Sequence, residues 1–110
     1  MTQLHSLKEH KMKAQERKCF EALVKIGAPV FLRSDLPDTF GVSGEGYFGS
    51  CPVPKDKQDE DRIWVDYYNA AHINGDGSCP GVCKEICDIV DEHGLYLEWE
   101  NPACLFAYPA

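Results

Sequence analysis

The stretch PGVCKEICDIVDEHGLYLEWENPACLFAYP, residues 80–109, decides the fold of this chain, because its hydrophobic period changes once, at Gly94. Before that glycine, Val82, Cys83, Ile86, Cys87, Ile89 and Val90 recur at helical spacing while Lys84, Glu85, Asp88, Asp91 and Glu92 take the opposite side. Pro80 suits a first helical position and Gly94 a left-handed exit, so the pattern predicts a helix over 80–93. After Gly94 the period falls to two, with Leu95, Leu97 and Trp99 inward and Tyr96, Glu98 and Glu100 outward. Asn101-Pro102 turns the chain into a last strand over 103–108, and the two strands are expected to form a hairpin.

Upstream, Ser6 with Glu9 fits a capping box and Gly27 with Pro29 a stop, which predicts a first helix over 7–26. Cys19, Phe20, Leu23 and Val24 form its buried stripe, with Ile26 at the edge. Its first half sets Leu7, Met12 and Ala14 among Lys8, Lys11, Lys13, Arg17 and Lys18, so residues 1–18 are expected as a partly projecting basic helix. Residues 28–32 read as a short strand. Residues 34–61 form a Gly-, Pro- and acid-rich loop region with one short strand near 46–50. Residues 62–70 read as a strand with Ile63, Val65 and Tyr67 on one face and Trp64, Asp66 and Tyr68 on the other. The order α, β, β, β, α, β, β predicts a single α+β domain over 1–110, an antiparallel sheet of four to five strands with two helices on one face. Moving the last strand to the front produces the order of a ferredoxin-like fold, so a permuted ferredoxin-like sandwich is one form this plan can take.

The charge is unevenly placed. The chain of 110 residues has a net charge of −7, yet residues 1–33 carry +4 and residues 34–110 carry −11. An acidic body repels phosphate and membrane headgroups and attracts cationic partners, so direct binding to nucleic acid or membrane is not expected. With no 18-residue apolar run and no apolar h-region after Met1, the expectation is a cytoplasmic protein.

Motifs that could carry chemistry do not hold up in context. Cys79, Cys83 and Cys87 recur every fourth residue, but no second ligand pair accompanies them beyond His72, His93 or Cys51, so buried thiols are favoured over a metal site. A metal-binding or thiol-dependent protein built on those three cysteines is the alternative. Gly44-Glu-Gly46-Tyr-Phe-Gly49 matches a phosphate loop only literally, since Glu45 sits inside it and Ser50-Cys51-Pro52 follows. Asn74-Gly-Asp-Gly-Ser78 lacks the carboxylates that open and close a calcium loop. His5, His10, His72 and His93 have no assignable Ser or Cys partner, so neither a catalytic residue nor a cofactor is expected.

Twelve aromatic residues exceed the needs of one small core, and exposed Tyr beside carboxylate suits a surface that grips Arg or Lys. The residues expected to contact a partner are Tyr47, Phe48, Asp59, Glu60, Asp61, Asp66, Tyr68, Asp88, Asp91, Glu92, Tyr96, Glu98 and Glu100. Together these features predict a non-catalytic acidic protein, not an enzyme, that occupies a basic site on another protein, such as a nuclease or nucleic-acid-binding complex. In size and acidity the chain resembles the small inhibitors phages use against bacterial nucleases, anti-CRISPR and anti-restriction proteins among them, a likeness of type that rests on no shared motif. A further alternative is a self-associating structural protein, a weak homodimer in place of a monomer.

Overall fold

Gly94 does separate a helix from a strand. In a computed structural model that describes residues 12–32, 39–43, 55–58, 62–68, 73 and 79–110, Gly94 adopts φ 71° between helix α2 (Lys84–Glu92) and strand β3 (Leu95–Asn101). Strand β4 (Cys104–Pro109) returns antiparallel to β3, with Tyr96 opposite Tyr108 and Leu97 opposite Ala107. Upstream lie helix α1 (Ala14–Ile26), strands β1 (Val30–Leu32) and β2 (Phe40–Ser43), and a single 3-10 turn (Lys55–Lys57). The four strands form one antiparallel sheet in the order β1-β2-β4-β3, and the architecture is α+β.

Both helices cover the same face of that sheet. Val30 pairs with Val42, Val42 with Leu105 and Leu105 with Trp99, which lines up one inward row across all four strands. Cys19, Phe20 and Leu23 of α1 and Ile86, Cys87 and Val90 of α2 bury against this row together with Phe40, Leu95, Leu97 and Ala107. Phe20 meets Phe40 edge-on, ring centroids 5.4 Å apart. The helices are also tied to each other: the Gln15 side-chain amide donates to the carbonyl oxygens of His93 at 2.7 Å and Gly94 at 3.0 Å, satisfying acceptors that the end of α2 leaves open.

Several sequence expectations are corrected. The first helix starts at Ala14, because Met12 and Lys13 are not helical and Lys13 is an extended N-cap; Ser6 and Glu9 lie outside the described residues. Within 12–18, Met12 and Glu16 are buried while Lys13, Ala14, Gln15, Arg17 and Lys18 are exposed; residues 1–11 lie outside the described residues. The second helix starts at Lys84, not Pro80, since Gly81 at φ 85° turns the chain and Cys83 is the N-cap. The acid-rich region 34–61 contains β2, whose Phe40 and Val42 are core residues; the strand expected near 46–50 lies outside the described residues.

Residues 62–68 are not a sheet strand. They make one isolated bridge, Val65 to Val82, flanked by the Asp66 N–H to the Gly81 oxygen and the Cys83 N–H to the Trp64 oxygen. The alternation also fails, because adjacent Trp64 and Val65 are both buried while Ile63 is 65% exposed. The physical cause is the neighbour: a two-residue ribbon against Gly81 and Cys83 has no sheet face to sort side chains by parity.

Gly27 sets the sharp exit of α1. It holds φ 87°, and a Cβ there would lie 2.7 Å from the Lys57 carbonyl oxygen. Gly27→Ala should therefore lower stability by at least the 1–2 kcal/mol of left-handed strain, about 1.5 kcal/mol, read as a lower urea midpoint. Leu105→Ala, which empties the centre of the inward row, should cost about 3 kcal/mol in the same assay.

Candidate functional site

Strand parity that buries Leu95 and Leu97 turns Tyr96 and Glu98 to the face opposite the helices, and Glu100, at a register shift between Trp99 and Asn101, lies near enough to act on the Tyr108 hydroxyl; all three are exposed. The hairpin register adds Tyr108 beside Tyr96 and Phe106 beside Glu98, and the sheet continues through Gly41, opposite Phe106, to Phe31, opposite Gly41. Gly41 is required here because the Phe31 ring lies where its Cβ would be. Phe31 can thereby reach Phe106 edge-on, centroids 6.3 Å apart. One face thus has an aromatic end, Phe31 and Phe106, and an acidic, tyrosine-bearing end.

The acidic end concentrates negative potential. Tyr96 and Tyr108 sit with ring centroids 5.7 Å apart and planes inclined at 36°. The Tyr108 hydroxyl is held above its ordinary pKa, first by burial, then by Glu100, Glu98 and Tyr96. From Glu85 to the last residue the sequence carries six carboxylate side chains and no Lys or Arg; Glu85 and Asp88 are offset by Arg62 and Lys84, whereas among the described residues Asp91, Glu92, Glu98 and Glu100 have no ion pair.

The expected partner-contact residues separate into groups. Tyr96 and Glu98 share the outer sheet face and Glu100 lies beside it, with Tyr108 as a member the sequence reading missed; the hairpin register was the signal that would have found it. Asp91 and Glu92 are exposed at the end of α2. Asp88 is engaged internally, its Oδ2 2.7 Å from Lys84 Nζ. Asp66 is a turn residue, accepting the Tyr68 N–H at 3.1 Å. Tyr68, 82% exposed, meets Tyr67 edge-on at 5.4 Å, and Tyr67 in turn meets Trp99 edge-on at 5.1 Å, so it belongs to a patch of its own beside the inward side chains of β3. Tyr47, Phe48, Asp59, Glu60 and Asp61 lie outside the described residues.

The three spaced cysteines do not converge. The Cys79 thiol donates to the Leu97 oxygen at 3.6 Å and the Cys87 thiol to the Val82 oxygen at 3.6 Å, both inside the fold. Cys83 is turned to Arg62, whose Nη2 lies 3.6 Å from its sulfur. That guanidinium also sits 3.8 Å above the Trp64 ring centroid and 2.8 Å from Glu85 Oε1. Among the described residues no three His, Cys, Asp or Glu side chains are grouped to hold a metal ion. Burial pushes the Cys79 thiol up to about 12, with Cys87 adding to the effect, and pushes Cys19 up to about 12 with a contribution from Glu16. Both thiols are therefore protonated, and poor nucleophiles, at neutral pH.

No protein-family model, curated protein or solved structure matches this chain. Among the described residues no helix is long and apolar enough to cross a membrane.

The Tyr108 hydroxyl should titrate above its ordinary value of about 10. In Glu98→Gln/Glu100→Gln its pKa should fall, yet stay above that value because burial is the larger cause; tyrosinate absorbance or NMR measures both. Cys19 and Cys79 should resist a thiol reagent at pH ~8 in the native state and react on unfolding. A native reaction as fast as that of a free thiol would contradict their placement.

Proposed function

We propose that this chain is a non-catalytic binding protein that uses its acidic outer sheet face to occupy a basic site on another protein. One observation carries the reading: Glu98, Glu100 and Tyr96 gather around Tyr108, and the two carboxylates add to the burial that holds its phenol above the ordinary pKa. Carboxylates beside exposed tyrosine rings receive Lys and Arg in two ways, by charge and by cation–π contact. Beside that acidic end Phe31 is half-buried against Phe106, which is buried, so the aromatic end of this face offers a partner little apolar area. A basic groove shaped for nucleic-acid phosphate is the sharper form of the partner, and an inhibitor that fills such a groove on a nuclease is the corresponding biological role. The alternatives of a metal- or thiol-dependent protein gain no support from the divergent cysteines.

Capture from lysate of the native cell tests the reading. Basic proteins should be retained at low salt and released near 1 M salt, where the Debye length is about 3 Å. Glu98→Gln/Glu100→Gln should reduce capture at least ~10-fold, most of it through slower association. Equal capture by wild type and the double variant would refute the assignment to this face.

A further inference from the structure

Deepening that reading, and resting on it, we infer that a cavity against the edge of β3 that no other described strand covers is an anchor pocket for one Lys or Arg side chain of the basic partner. The cavity, about 100 Å³, is lined by Cys79, Cys87, Val90, Asp91, Leu95, Tyr96, Leu97 and Ala110. Leu95, Tyr96 and Leu97 are consecutive strand residues with side chains on opposite faces, so what they line together is the strand's edge; β3 is the terminal strand of the sheet. The same strand therefore offers Tyr96 and Glu98 on its outer face, Glu100 beside them, and this cavity along its side.

The lining states which chemistry fits. Val90, Leu95, Leu97 and the two thiols are apolar or weakly polar, and the Cys79 and Cys87 hydrogens are already donated to backbone oxygens. One charged side chain, exposed Asp91, belongs to the lining. Of the acids of α2, Glu85 is paired with Arg62 and Asp88 with Lys84, whereas among the described residues Asp91 and Glu92 have no cationic partner, and of these two Asp91 is the one that lines the cavity. An apolar recess beside an unneutralised carboxylate suits a side chain with an aliphatic stem and a cationic tip, the form in which Lys and Arg cross apolar surface. Size points the same way. The volume falls short of the roughly 300–1,000 Å³ usual for small-molecule sites, and is nearer the ~150 Å³ cavity that holds a single benzene. A second copy of this chain is disfavoured as occupant, since its β3 would bring Glu98 and Glu100 against their own kind.

Two measurements decide it. In the first, n-butylammonium chloride and n-butanol are titrated into the protein while the methyl resonances of Val90, Leu95 and Leu97 are followed. The cation should shift these methyls and the alcohol should shift them less, with the difference lost in Asp91→Asn. No shift, or equal shifts by both, overturns the pocket whatever the partner. In the second, an alternating Lys-Ser peptide is bound at low salt. Asp91→Asn and the exposed rim variant Ala110→Trp should each weaken it about 5- to 10-fold, against less than ~2-fold for Glu92→Gln, a neighbouring acid outside the lining. If the peptide binds and Glu98→Gln/Glu100→Gln weakens it while Asp91→Asn and Ala110→Trp behave like Glu92→Gln, the pocket fails and the sheet-face reading stands. If wild type ignores the peptide at low salt, the sheet-face reading fails and the butylammonium titration alone judges the pocket.

Discussion

The seat of α2 on the β3–β4 hairpin is the contact on which the rest depends. Ile86, Cys87 and Val90 meet Leu95 and Leu97 within one apolar cluster, and only His93 and Gly94, the latter at φ 71°, separate the helix from the strand it covers. Such a short connection gives the helix little choice of face once Leu95 and Leu97 turn inward. Parity then dictates that Tyr96 and Glu98 point away. Gln15 extends the constraint to α1 by closing the carbonyls of His93 and Gly94, so the second helix of the layer is held at the same junction.

The two sides of the sheet thereby differ in chemistry, and the proposed recognition uses the side away from the helices. The helix side is apolar and closed, and its buried thiols serve as small hydrophobes with raised pKa values. The far side gathers carboxylates that repel one another and carries no Lys or Arg on β3 or β4 to relieve them. Like charges on one face add no stability of their own, which is compatible with the proposed role in binding a partner.

How much could be read from sequence depended on how many neighbours each segment has. The α2–β3–β4 unit was legible because its partners are adjacent in the chain and its period changes cleanly at Gly94. Tyr96, Glu98 and Glu100 came with it. Strand β2 was hidden in an acid-rich stretch because four residues, two of them Phe40 and Val42, are too few for a periodic signal. Residues 62–68 carried strand-like residues but only the Val65–Val82 bridge, so the alternation read there had no sheet to act on. The start of α1 was misplaced because a capping pattern at Ser6 outweighed Met12, whose burial reflects tertiary packing that spacing does not reveal. The edge pocket was illegible for the same reason: it is a gap between α2 and β3, defined by what does not fill it.

The central claim is that the acids of the outer face serve a partner and not the fold. The most direct measurement is the urea midpoint of Glu98→Gln/Glu100→Gln at low salt. Relief of mutual repulsion should leave it equal to wild type or raise it, with the difference vanishing in high salt. A midpoint clearly below wild type would show that these carboxylates hold the structure together, and would contradict the division of the sheet into a stabilising and a recognising face.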